Sequence, residues 1–501
     1  MSEFFFNLQN RVFGREIVRL LRPLMVIGVL LGSYYLGRNG SMRQLVLLIV
    51  AGLAIIFMRY PMVALVVLVF ASFFVRLEIG TGTGSAINVS MILISILLVL
   101  WILDMLVQQK RIWLYGSRVL PPLVAFSLTA ILAFITGQLP WFSFARQVSL
   151  FAQLGGLALF LLSAGAFLWI GQYATDVKWL KIVTWLYVGI GCVFIFFHFI
   201  VIGKWIPGFN NIPVFIREST GSLLWTWLVA LSASQALLNR QLKVRWRILL
   251  AMTTMLTLLA GWQNRQWASG WIPAVIALLV ILLMVEWRVG VFVGVLMVLA
   301  VLVLNPPFTD PALTSDQYSF MTRTEAWKIV LGDIWRVNPL LGLGPANYYN
   351  YTPLFSLIGY NVRFNSHNQY VDMLAQNGIL GLATFLWLAF EIGWLAWRLK
   401  DRASPGFNRA YVIGVLGGLM GTLAAGMFGD WLIPFVYNIG MDGFRTSMFA
   451  WLFLGGLVVI ERMTEAQTKQ ASPHLEDDTD LSTGKPREDF QAINNGKSVI
   501  G

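Results

Sequence analysis

Four side chains in this sequence have types suited to phosphate chemistry. Arg217 lies in FIREST, Arg265 in GWQNRQWASGW, Arg323 opens RTEAWKIVLGDIWRV, and His367 sits in FNSHNQY. A guanidinium stays charged and offers paired donors to phosphate oxygens, so two or three of them at a membrane surface would hold a diphosphate. A diphosphate that departs needs its developing negative charge stabilised, which arginine does in place of a metal. An imidazole near neutral pKa accepts the proton of an attacking hydroxyl. No DxD-like or clustered carboxylate is seen near these residues, so neither a metal nor another cofactor is expected. Each residue alone has a plainer reading. An arginine at a helix end usually anchors at the interface, and a lone histidine often caps a loop.

The elements that must position these groups are membrane helices. The 501 residues are 57% hydrophobic and 12% charged, about half the charge of a soluble globular chain. Continuous runs such as VALVVLVFASFFV and PAVIALLVILLMV are helical spans, because the strands of a membrane barrel would alternate apolar and polar residues. Fourteen apolar segments are expected, near 24–37, 44–58, 61–75, 87–107, 119–137, 147–171, 180–202, 222–238, 246–262, 271–285, 288–304, 378–397, 409–428 and 443–460. Because several are short, 12 to 14 crossings are predicted in an all-α polytopic bundle. The net charge of +12 fits basic cytoplasmic loops rather than nucleic acid. Cys192 stands alone in an apolar run, which excludes an internal disulfide. No cleavable signal peptide is evident.

With the N-terminus inside and the spans alternating, roughly two thirds of the Lys and Arg residues fall on the cytoplasmic side. That topology puts Arg217, Arg265, Arg323 and His367 together on the opposite, extracytoplasmic face. The predicted organisation is a basic N-terminus (1–23), a membrane bundle (24–304), an extracytoplasmic loop (305–377), a second part of the bundle (378–461) and a disordered cytoplasmic tail (462–501). Within the loop, TRTEAWKIVLGDIWRV reads as an amphipathic helix with Thr322 or Thr324 as cap and Trp327, Val330, Leu331 and Ile334 as its apolar stripe. SHNQYVDMLAQNG reads as a second helix that Gly378 ends or bends. GVLGGLMG (414–421) spaces small residues four apart, as close helix packing requires.

RTEAWKIVLGDIWRVNPLLGLGPANYY (323–349) and HNQYVDMLAQNGILGLATF (367–385) resemble the O-antigen ligase and polymerase family of bacterial membrane glycosyltransferases. An Arg and Trp open a loop helix, a Gly-rich turn region follows, and His-Asn precedes a Gly-Ile-x-Gly-Leu span. Two departures are visible: Asn264 precedes Arg265 where the family often has Ser, and Gln376 stands where an acid is common. The resemblance implies a GT-C-like fold in the bacterial inner membrane. It also implies transfer of a glycan from an undecaprenyl-diphosphate carrier to a glycan, lipid or protein hydroxyl on the periplasmic side, without a metal. Carried over, His367 is the base or acceptor-orienting group, Arg217, Arg265 and Arg323 bind diphosphate, and Trp327, Asn368 and Tyr370 contact sugar or support the site. His198 is a further cavity candidate, with a packed helix position as its alternative.

Two other readings compete: a lipid-linked glycan flippase or transporter, and a non-catalytic assembly component. The spans carry almost no charge at mid-depth, which weighs against an ion-coupled carrier.

Overall fold

The computed structural model describes residues 59–82, 85–202, 221–263, 268–303 and 321–471, together with Gly37, Gly52, Ile56 and Phe57. The expected spans 24–37 and 44–58 lie almost wholly outside the described residues, as do Arg217, Arg265 and positions 472–501. Contacts divide the chain into residues 1–67 and 68–501. The bundle and its long loop belong to the second of these units.

In chain order the helices are α1 (Pro61–Phe74), α2 (Val89–Leu103), α3 (Leu120–Thr136), α4 (Leu150–Tyr173), α5 (Val177–Ile202), α6 (Ser222–Leu238), α7 (Val244–Gln263), α8 (Ala268–Val285) and α9 (Trp287–Val303). After them come the loop helix α10 (321–329), the single turn α11 (Tyr348–Tyr351), then α12 (Gln369–Leu399), α13 (Phe407–Gly426) and α14 (Phe444–Ala471). Among the described residues the strands are two three-residue pieces, Glu78–Gly80 and Ala86–Asn88, paired as an antiparallel hairpin. Among the described residues, eight helices are long and apolar enough to cross a membrane, and four shorter apolar ones accompany them. The architecture is an all-α polytopic bundle.

Bonds between loops sort into two sets, one at each end of the bundle. At one end Asn88 donates to Met441 O, Asn347 to Gly137 O, Ser222 to Ser269 O, and Gln369 to Ile433 O. At the other, Ser117 donates to Glu461, Tyr115 N to Gln172, and Gln241 to Pro405 O. This is the pattern that spans running alternately up and down produce. Arg445, almost fully buried, ties the first end together by bonding Asp442 and Val75 O and lying 3.6 Å from Glu78.

The GVLGGLMG run packs as its spacing predicts. A Cβ on Gly417 would lie 2.7 Å from Ala277 O, and one on Gly421 would lie 2.6 Å from Pro273 O. Both are closer than side chains tolerate, so α13 meets α8 backbone to backbone. Across membrane helices this close approach supplies van der Waals contact where lipid removes the hydrophobic drive.

α12 is broken at Gly378, whose φ of 66° and ψ of −168° interrupt the helix. The break exposes backbone groups, and the turn Pro339–Gly344 satisfies them. Ile379 N and Leu380 N donate to Pro339 O and Leu340 O, while Leu343 N and Gly344 N donate to Ala375 O and Gln376 O. NPLLGLG and AQNGILG therefore fit together as one backbone interlock, as a near-membrane setting demands. Gln376 Oε1 also accepts from Ala346 N at 3.0 Å.

Two local expectations are corrected. Residue 321 is already helical and Thr324 Oγ1 bonds Met321 O, so neither Thr322 nor Thr324 caps α10. α14 continues past residue 461 to Ala471, because Arg462 bonds the carbonyl oxygens of Gln172 and Ala174 and extends the packed helix.

Replacing Gly378 with Ala puts a Cβ 2.2 Å from Leu340 O in a backbone conformation that resists side chains. A loss of at least about 2 kcal/mol is expected, from strain and steric overlap together. Thermal unfolding of the purified variant in detergent checks it, and a midpoint equal to the parent's would remove the interlock as a stabilising element.

Candidate functional site

The loop between α9 and α12 has its own apolar core. Ala326, Ile329, Val330 and Ile334 of the loop helix pack with Tyr348, Phe364 and Val371, and Phe435 closes the cluster from the α13–α14 connection. Trp327 and Leu331 lie half-buried against it, so the amphipathic stripe faces inward as its spacing predicts. The helix widens into a π turn over Val330–Ile334 and ends in a 3-10 turn at Trp335–Val337.

This core sets His367 beside the start of α10. Trp327 Nε1 donates to Ser366 O at 2.7 Å, joining the loop helix to the residue before the histidine. Asn368, after it, caps α12 by accepting from Tyr370 N and Val371 N at 2.9 and 3.3 Å. Tyr370 Oη donates to Leu423 O at 2.6 Å and anchors the first turn of α12 to α13. Trp327, Asn368 and Tyr370, expected as substrate contacts or support, thus all hold backbone. His367 itself has φ 49°, a left-handed conformation that a non-glycine residue keeps only when its surroundings impose it.

Burial lowers the His367 pKa from its ordinary 6.5, and the Arg323 guanidinium lowers it further. The first cause disfavours any charge, and the second disfavours a second positive charge nearby. Both favour a neutral imidazole at neutral pH, which is the form able to accept a proton. Arg323 is half-exposed at the mouth of this arrangement. The structure thus brings together His367, Arg323, Trp327, Asn368 and Tyr370, while Arg217 and Arg265 lie outside the described residues. His198 takes its packed alternative, set tilted or edge-on among the rings of Phe194, Phe199 and Trp225.

Sequence reasoning missed a second polar cluster underneath. Asp372 is fully buried and accepts from Ser366 Oγ at 2.7 Å and from Tyr348 Oη. Ser366 Oγ also receives Asn368 N at 3.1 Å. The second Asp372 oxygen has no partner among the described residues. Asp430, equally buried, lies close enough for the two carboxyls to influence each other; its own burial pushes it up to about 6. Asp430 accepts from Phe435 N and Asn438. These two acids were not expected as a pair, since they stand far apart in the sequence. The available signal was Asp372 itself, an acid one turn inside a helix whose neighbours are apolar.

Removing the Asp372 acceptor strands the Tyr348 hydroxyl in a dry core. Asp372→Ala is expected to lose about 1–3 kcal/mol. Asp372→Asn keeps an acceptor and removes charge beside Asp430, so its thermal midpoint in detergent should equal or exceed the parent's. An Asn variant as unstable as the Ala variant would contradict these roles within the cluster.

Residues 243–386 match the family model described as O-antigen ligase. The matched stretch takes in Arg265, Arg323, Trp327, His367, Asn368 and Tyr370 and ends within α12, past the Gly378 break. No curated protein matches the chain. The Gly378 break, most of the loop core and the His367–Arg323 pair fall inside this segment, and over it this multi-pass membrane protein is similar to the O-antigen ligase family.

Proposed function

We propose that this protein transfers a glycan from a polyprenyl-diphosphate carrier to an acceptor hydroxyl at the extracytoplasmic face of the bacterial inner membrane. The similarity over residues 243–386 supports the general activity, glycan transfer in surface-polysaccharide assembly, as a glycosyltransferase. The donor, the face and the residue roles are the proposal. The observation that carries them is His367, held in a left-handed backbone between two anchored neighbours and kept neutral beside Arg323.

In the reaction the acceptor hydroxyl gives its proton to the His367 imidazole as its oxygen bonds the anomeric carbon of the donor glycan. The bond from that carbon to the diphosphate oxygen breaks, and its electron pair leaves with the diphosphate. Arg323 meets the charge growing on that oxygen, and Arg217 and Arg265, outside the described residues, are assigned the same role. The imidazolium then returns its proton to solvent or to the departing diphosphate. The low pKa of His367 suits the first step, because the base is already deprotonated at pH 7. Whether the acceptor is a lipid A core, a second lipid-linked repeat or a protein side chain depends on a groove outside these residues.

His367→Ala, with the protein stably expressed, is expected to lower transfer from purified lipid-linked glycan by about 10²–10⁴-fold. Parental turnover by that variant would end the base assignment. A second outcome follows from the sign of the shift. The parent's activity should fall on the acid side only below pH 6.5, as the imidazole protonates. Arg323→Gln removes one cause of the lowering, so the acid limb of its residual activity should move to higher pH. A limb that stays in place would show that the guanidinium does not act on the imidazole.

A further inference from the structure

The end of the bundle opposite His367 holds a cavity. It opens where α6 and α8 finish and α13 begins, and has a volume of about 560 Å³. Leu237 and Leu238 from α6 and Met284 and Val285 from α8 make its apolar floor, and Arg240 and Arg409 stand at its rim. Gln241 closes one wall by donating to Pro405 O at 3.2 Å. α13 links the two ends: it starts beside this cavity at Phe407 and finishes at Gly426, packed against Gln369 and Tyr370. A 20-residue helix is about 30 Å long, so the cavity lies a membrane's thickness from the candidate active site.

Its charges are not spent within the protein. Arg240 is exposed and has no ionic partner among the described residues. Arg409 has only a 3.9 Å approach to Asp401, whose side chain is 65% exposed and already bonded by Lys400. An exposed pair at that separation contributes little. α13 begins here under Gly406, which supplies no side-chain cap, so the positive end of the helix dipole lies at this rim. The level of the site is that of an interface: exposed Trp246 and Trp287 flank this end, each under a guanidinium, Arg245 and Arg288 at 5.5 and 5.8 Å.

We propose that this cavity binds the head group of an acidic phospholipid, with the phosphodiester between Arg240 and Arg409 and the glycerol and upper acyl chain over the Leu237–Met284 floor. The two guanidiniums select phosphate. The apolar floor selects a lipid over a soluble anion, which leaves that floor wet. A choline or ethanolamine head group brings its own cation toward the arginines, so the site favours a lipid of net negative charge.

The test is intact-complex mass spectrometry of the full-length protein in mixed micelles of phosphatidylglycerol and phosphatidylcholine, with thermal midpoints read in parallel. Phosphatidylglycerol should be retained about tenfold or more over phosphatidylcholine, and Arg240→Gln with Arg409→Gln should abolish the preference. The exposed positions leave the double variant's midpoint in phosphatidylcholine unchanged. Met284→Trp, which fills the floor without touching charge, should also lower retention. Equal retention of the two lipids, or an undiminished preference in both variants, overturns the proposal. So does displacement of phosphatidylglycerol by millimolar inorganic phosphate, which would mark a simple anion site. Binding is measured without turnover, so the result stands whatever becomes of the glycan-transfer reading.

Discussion

The break in α12 at Gly378 is the constraint on which the architecture of the long loop rests. A helix interrupted near a membrane must find partners for the backbone groups it frees, because lipid offers none. The Pro339–Gly344 turn supplies them in both directions, donating to the carbonyls of Ala375 and Gln376 and accepting from Ile379 and Leu380. That interlock fixes where the loop returns, and the loop core then fixes everything between. Trp327 reaches Ser366 because α10 lies where the turn leaves it, and Asn368 starts α12 where Trp327 holds its neighbour. His367 inherits its backbone conformation from bonds made by the residues on either side.

That inheritance explains the backbone bonds of the residues expected to contact sugar or support the site. Trp327, Asn368 and Tyr370 each commit a polar atom to Ser366, to the α12 first turn and to Leu423. An imidazole in the proposed role of base is better held neutral by such neighbours than by a direct carboxylate, which would raise its pKa. Asp372 therefore acts one step away. It accepts from Ser366 and Tyr348, and it is absent from the groups that shift His367.

Much of the fold was legible because apolar periodicity is a local property. The apolar runs from residue 61 onward, the loop helix with its inward stripe and the glycine seam of α13 follow from residues near each other in the chain. The position of the Gly378 bend was legible too. Its partner turn was not paired with it, since backbone bonds carry no side-chain signature. The α10 cap and the end of α14 were misjudged for a related reason: Arg462 extends α14 by bonding carbonyls of the α4–α5 connection, which no local reading contains. Of the site, His367 with Arg323 was legible from type and motif. The Asp372–Asp430 pair was not, because it exists only once the α13–α14 connection folds over the loop core.

α13 connects these levels. Its glycines let it approach α6 and α8 closely: Gly414 leaves room for the Ser234 hydroxyl, Gly418 for the Trp227 ring, and Gly417 meets Ala277 O. Helices in such contact have little room to slide, since interiors at this density resist small displacements. At one end of this three-helix unit, Leu423 O receives Tyr370 and so holds the first turn of α12, and with it the His367 loop. At the other, the same three helices splay just enough to leave the basic cavity. A rigid seam between the two means that the histidine is referenced to the membrane-embedded bundle rather than to a loop alone. Under the proposed transfer, a lipid carrier presented at a fixed depth requires a base at a fixed depth, and the close packing of α13 against α8 provides that reference.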